Sequence, residues 1–334
     1  MRRGSAWVGG AVFTASVLAL AACSRPASDS TPKGNGRLRV ALLTPGPVSD
    51  AGWNALAYEA LQAVGRELDA ETAHMQTTTP AEFVEGFRDF ARRGYDLVIG
   101  HGFEFQDAAR AVAPDYPQTV FLTTSGNLAG PNVGSFRFLL EEATYLCGLL
   151  AASLSRTGVA GAVGGMEIPS VRSTIRAFVE GATRTRPGFR VLTSYIGNWE
   201  DVGAAKTAAA ALIQQGADVL FHNADAAGLG VLQAAEERHL LAFGTNKDQN
   251  AVAPDAVVAS AVIDMSRAFL AVARDVAARR FRGRQLRLGM RDGVVRLVLN
   301  PRLVDRLSPE VRARLEAARN GIVTGRIQVP MERF

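Results

Sequence analysis

The sequence predicts an α/β protein made of two doubly wound lobes, each a parallel sheet wrapped by helices. Three observations carry this. Short apolar strand runs alternate with helical repeats along most of the chain. The strand runs are too many for one compact sheet around one core. Unusual residues, rich in glycine, aromatics, amides and carboxylates, recur in the loops that follow the strands.

In order, residues 39–43 form a short apolar strand. Residues 51–67 follow with helical spacing, placing Trp53, Ala57, Leu61, Val64 and Leu68 on one face. Residues 83–92 make an amphipathic helix, 95–100 a buried strand, 105–112 a helix and 120–124 a strand. The alternation then repeats: helix 141–154, strand 159–163, helix 170–183, strand 191–196, helix 204–215, strand 218–222, helix 228–238 and strand 240–243. Strand 257–262, helix 265–279 and strand 294–299 continue it. Such sheets bind ligands beyond the carboxyl ends of their strands, so two lobes would face each other across a cleft.

The N-terminus reads as an export signal. Arg2 and Arg3 lead an apolar stretch over residues 11–20, which ends in Leu20-Ala-Ala-Cys23. The stretch is too short to span a bilayer comfortably. Residues 1–22 are therefore assigned to a signal peptide and 23–37, rich in Ser, Pro, Gly and Asn, to a flexible tether. Loss of Arg2 and Arg3 with the signal brings the formal charge from +5 to +3. The basic residues are scattered, apart from Arg279, Arg280, Arg282 and Arg284, which read as a solvated helix end. No nucleic-acid partner is expected. With Cys23 modified, Cys147 would have no partner for a disulfide, and it reads as a small core residue.

The loops hold the informative residues. Matching stretches are Ser49-Asp-Ala-Gly-Trp-Asn54, Gly102-Phe-Glu-Phe-Gln-Asp-Ala108 and Glu142-Ala-Thr-Tyr-Leu-Cys-Gly148, then Gly164-Gly-Met-Glu-Ile-Pro169, Gly197-Asn-Trp-Glu-Asp201 and Lys247-Asp-Gln249. In their order, spacing and placement after strands they resemble the basic membrane protein family of bacterial lipoproteins. That family includes the purine nucleoside receptor lipoproteins of ABC importers. Leu-Ala-Ala-Cys likewise resembles a lipobox, which implies lipidation of Cys23 and an extracytoplasmic protein tethered to the cell membrane.

The resemblance implies a type I periplasmic-binding-protein fold. Lobe 1 would take residues 38–138 and 261–291, and lobe 2 residues 139–260 and 292–334. Three crossings would lie near 136–139, 260–264 and 291–294. It also implies a monomer that binds a purine nucleoside between the lobes, without a cofactor, and delivers it to an ABC permease.

Trp53 would stack on the base, although it also reads as a core residue of its helix. Asn54 would hydrogen-bond the ligand. Asp50 reads equally as ligand contact or helix cap. Asn246 and Asp248 match a pair that usually reads Asp-x-Asp in the family and accepts the ribose hydroxyls. Asn246 departs from that pattern, and Asp225 would supply the missing carboxylate unless it caps the helix that follows. Ser125 stands where an aspartate often reads the base edge, and Ile263 where a lysine is frequent. Phe103 and Trp199 complete the candidate set, with one of Phe103 and Phe105 expected in the core. Glu167 and Arg172 read as a cap and a surface ion pair.

Two rival classes remain open at this stage. A secreted nucleoside hydrolase is disfavoured, because the chain lacks a Gly-x-Ser-x-Gly elbow, a His-Glu-x-x-His pair and a Gly-x-x-x-x-Gly-Lys loop. No metal site is expected from the dispersed His74, His101, His222 and His239. A ligand-binding sensor lipoprotein is the second rival, which sequence alone does not separate from transport.

Overall fold

The computed structural model describes residues 36–49 and 52–332. The expected signal peptide, Cys23 and Asp50 lie outside the described residues.

The chain folds into two six-stranded sheets. In the first, β1 (Arg39–Thr44), β2 (Glu71–Gln76), β3 (Leu97–Gly100), β4 (Val120–Thr123) and β5 (Val133–Phe138) are joined late by β11 (Gln285–Leu288). In the second, β6 (Val159–Gly164), β7 (Arg190–Tyr195), β8 (Val219–Asn223), β9 (Leu241–Asn246) and β10 (Val257–Ile263) are joined by β12 (Val295–Leu299). The spatial orders are β11-β5-β4-β3-β1-β2 and β12-β10-β9-β8-β6-β7, so the second lobe repeats the first. Every pairing is parallel except β10 with β12. Parallel strands need crossover helices, and these cover both faces.

In the first lobe, α2 (Pro80–Arg92) and α3 (Gln106–Val112) cover one face over a core of Phe83, Phe87, Phe90, Phe105 and Phe121. The other face carries α1 (Trp53–Leu68) and α8 (Met265–Ala277), which are tied by an Arg274–Glu67 ion pair at 3.3 Å. In the second lobe, α6 (Val202–Gln214) and α7 (Gly228–Glu237) cover one face. On the other, α4 (Glu141–Leu154) packs against α5 (Pro169–Thr185), with α9 (Pro309–Val323) alongside. The α4–α5 contact is backbone to backbone. A methyl on Gly148 would lie 2.0 Å from the Phe178 carbonyl oxygen, and one on Gly181 would lie 2.0 Å from that of Tyr145. Cys147 of α4 is fully buried in the core, and burial pushes its thiol pKa up.

Helix starts follow ordinary capping chemistry. Thr79 and Glu82 form a capping box on α2, with Pro80 at its first position. Asp201, Asp264 and Ser308 accept backbone N–H groups at the starts of α6, α8 and α9. Helices α3, α4, α5 and α7 start without a side-chain cap, and the N-cap of α1 is Gly52, which has no side chain to contribute.

The chain passes between the sheets between β5 and α4, between β10 and α8, and between β11 and β12. The first passage is pinned by a buried ion pair, Arg137 with Glu141, whose side chains are 7% and 0% exposed. Ser173 of α5 donates to the same Glu141 carboxylate. The backbone N–H of Glu332 donates to Ser173 Oγ at 3.0 Å, and Arg172 pairs with the Glu332 carboxylate at 3.0 Å. This chain of contacts fastens the C-terminal segment across the start of the second lobe.

Candidate functional site

The carboxyl ends of both sheets open onto one cavity of about 490 Å³, a size suited to a small organic ligand. Residues following β1, β3 and β4 supply its first wall: Trp53, Asn54, Phe103, Glu104 and Ser125. Those following β6, β7 and β8, with the ends of β9 and β10, supply the opposite wall. Ile168, Thr174, Trp199, Asp225, Asn246 and Ile263 are among them. These are the positions where doubly wound sheets reverse strand order and leave a crevice.

Trp53 opens α1. Its indole stacks on the His101 ring, with centroids 4.3 Å apart and planes 27° apart, and meets Phe138 edge-on at 6.3 Å. His101 is wholly buried. Its Nε2 lies 3.0 Å from the Trp53 carbonyl oxygen, which can only accept, so Nε2 carries the proton. Nδ1 then accepts from the Thr124 hydroxyl at 3.1 Å. Burial holds the imidazole neutral, with its pKa lowered to about 3. A neutral, doubly bonded ring thus forms a fixed backing for the indole.

Trp199 faces the cavity from the other lobe. It packs against Gly165, where an added methyl would come within 2.4 Å of indole Cε3. Its carbonyl accepts the Ala227 N–H at 2.8 Å, tying the β7 loop to the β8 loop. Asn223 donates to Thr174 Oγ1 at 2.8 Å, which fixes two polar groups of this wall.

Of the sequence candidates, Trp53, Asn54, Phe103, Ser125, Trp199, Asp225 and Asn246 all line this cavity. Phe103 is 49% exposed, whereas Phe105 is fully buried in the core. Asp248 is not among the lining residues. Its side chain is exposed and accepts the Asn250 N–H at 3.0 Å, closing a turn after β9. Arg172 pairs with Glu332 rather than with Glu167.

Sequence reading missed Arg137, Glu104, Glu200, Thr174 and Asn223, which also line the cavity. Arg137 sits within an apolar strand run, and only the Glu141 four residues on hints at its pairing. Asn223 and Glu200 lie beside residues that were singled out, Asp225 and Trp199.

His101 and His222 end strands in different lobes. His222 Nε2 donates to Gln249 Oε1 at 2.9 Å, and burial lowers its pKa to about 4. Among the described residues no group of three or more His, Cys, Asp or Glu is placed to hold a metal ion.

A family model for PnrA-like ABC transporter substrate-binding proteins matches residues 37–333. The chain is 28% identical to a purine-binding protein of Brucella abortus, over 87% of this chain and 85% of that one. It is 27% identical to an ABC transporter nucleoside-binding protein of Lactococcus lactis, over 96% and 97% of the two chains. In fold it resembles an ABC transporter solute-binding protein of Aeropyrum pernix, with a TM-score of 0.76 and 22% identity over 89% and 94% of the two chains. The two-lobed architecture is that of the periplasmic binding proteins, and relatives of this kind bind substrates rather than transform them. The chain belongs to the PnrA-like family of ABC transporter substrate-binding proteins.

Proposed function

We propose that this protein captures a purine nucleoside, or a closely related flat heterocycle, between its lobes and delivers it to an ABC import permease. The observation that carries the reading is the pair of indoles, Trp53 from one lobe and Trp199 from the other, lining one cavity. A planar base gains about 1–3 kcal/mol from one aromatic face. Asn54, Ser125 and Asn246 supply both donors and acceptors around the cavity, as base edges and a sugar require. The diol then falls to Asn246 rather than to Asp248, whose carboxylate is engaged in its own turn. The names of the Brucella and Lactococcus relatives support the same ligand class.

The basic leader and Leu20-Ala-Ala-Cys23 support export and a lipid anchor on Cys23, holding the binding lobes outside the cytoplasm beside the permease.

Two measurements test the reading. Gentle denaturation of purified protein, followed by mass spectrometry of the released small molecule, should yield a purine compound. Calorimetric titration with adenosine, guanosine, inosine and uridine should give heat with at least one purine nucleoside. Silence with all four would remove nucleosides as the ligand.

A further inference from the structure

The N-cap of α1, Gly52, offers no side chain, and the backbone N–H of the first helical residue, Trp53, is bonded. The acceptor is Asp225 Oδ1 at 2.7 Å, which reaches across the cleft from the loop after β8. Asp225 holds this position in a left-handed backbone conformation, with φ 51°, which glycine adopts freely and other residues adopt at a cost. On the facing side the fit requires glycine. A methyl on Gly52 would lie 1.9 Å from Asp225 Oδ1. A second contact joins the same two parts: Lys247 Nζ, after β9, meets Glu59 Oε1 of α1 at 2.7 Å.

We propose that Asp225 is a positioning residue that latches the two lobes together, by capping α1 across the cleft while Trp53 is held over the ligand space. A carboxylate at a helix N-terminus gains from both the unsatisfied N–H groups and the helix dipole. Here that gain exists only when the lobes are closed, because helix and carboxylate belong to different lobes. Lys247–Glu59 is a weaker second latch about two helical turns along α1, more exposed and more screened. The residue that offers the stacking face therefore also carries the bond that registers closure. A ligand that favours the closed form adds to a state the protein already stabilises by itself. The inference rests on the proposed function only in taking Trp53 as a ligand-facing residue. The latch itself concerns the empty protein.

The test is hydrogen–deuterium exchange on the full chain stripped of bound small molecules, with no nucleoside added. Asp225→Gly removes the carboxylate and suits the left-handed backbone. It should raise exchange about tenfold in the first turn of α1. It should also raise exchange in residues 165–169 of the opposite wall, which the carboxylate does not touch. Protection in β1, β8 and α4 should stay unchanged. Lys247→Met should raise the same signals about two- to threefold, and Glu59→Lys combined with Lys247→Glu should restore them. Unchanged exchange in Asp225→Gly overturns the latch. So does a rise confined to α1, which would make Asp225 a helix cap only, or a loss of protection throughout both lobes, which would make it a folding residue. A Lys247→Met rate equal to wild type overturns the second contact. Because no nucleoside is present, failure of the nucleoside titrations leaves this result standing, and the reverse holds too.

Discussion

Replacing Trp53 by leucine isolates the stacking contact from everything else the residue does. The Trp53 N–H that meets Asp225 and the carbonyl that meets His101 are backbone groups, so both bonds survive the change. What disappears is the indole, with its stack on His101 and its edge contact to Phe138. Each aromatic contact is worth about 0.5–1.5 kcal/mol beyond buried area, and leucine recovers part of that area, so stability should fall by about 1–2 kcal/mol. The ligand loses one aromatic face, about 1–3 kcal/mol, which corresponds to a roughly 5- to 150-fold weaker dissociation constant. Trp199 on the opposite wall keeps binding measurable. Phenylalanine at position 53 should fall between wild type and leucine, because it keeps a smaller face. Calorimetry with the tightest nucleoside, alongside urea unfolding of each variant, separates the two effects. A leucine variant that binds within twofold of wild type would refute the claim that the indole faces the ligand.

Three further outcomes follow from buried groups. His101 and His222 are neutral in the fold, with pKa values lowered to about 3 and about 4, against about 6.5 in an unfolded chain. Unfolding therefore takes up protons below pH 6.5, so their contribution is whole above that pH and is lost as pH falls toward 4. The two together should cost about 4 kcal/mol of stability between pH 7 and pH 5, and a urea midpoint unchanged over that range would contradict it. Arg137→Met strands the Glu141 carboxylate, which is 0% exposed, and should cost about 3–5 kcal/mol; Arg137→Met with Glu141→Gln should recover much of it in the same urea assay. Gly148→Ala would drive a methyl into the Phe178 carbonyl oxygen at 2.0 Å, so α4 and α5 must separate; thermal unfolding should show a loss of about 1–3 kcal/mol, and an unchanged midpoint would mean the helices slide without cost.

The elements that sequence revealed are those with a one-sided or fully apolar pattern. The runs behind β1, β3, β6, β8 and β10 are apolar because both sheet faces are covered. The strand β2 escaped notice: Glu71, Thr72, His74 and Gln76 make it polar, and it sits at a sheet edge where no residue is fully buried. The strand β5 was hidden because it runs into the first passage between lobes, and Arg137 interrupts its apolar pattern. In the cleft, the aromatic residues of the strand-following loops were legible, since a large apolar face placed in a loop calls for something to cover it. The bond from Trp53 N–H to the other lobe was not. Capping is read from neighbours in sequence, whereas the acceptor bonded to Trp53 N–H is 172 residues away. No local pattern encodes a bond that forms only when two lobes meet.

The charges around the cavity bear on what it admits. Among the described residues that line the cavity, Arg137 is the only Lys or Arg, and its charge is matched by Glu141 just behind it. Glu104, Glu200 and Asp225 also line the cavity, and Asp225 spends charge on the α1 N-terminus, while the start of α5 opens onto the same space through Pro169 and Ser170. A phosphorylated ligand would bring about two negative charges beside these carboxylates. A neutral nucleoside brings hydroxyl and amine donors that the same carboxylates and amides accept. The proposed latch and the proposed preference for a neutral ligand thus meet in one carboxylate: Asp225 occupies the α1 terminus and adds negative charge to the cavity wall.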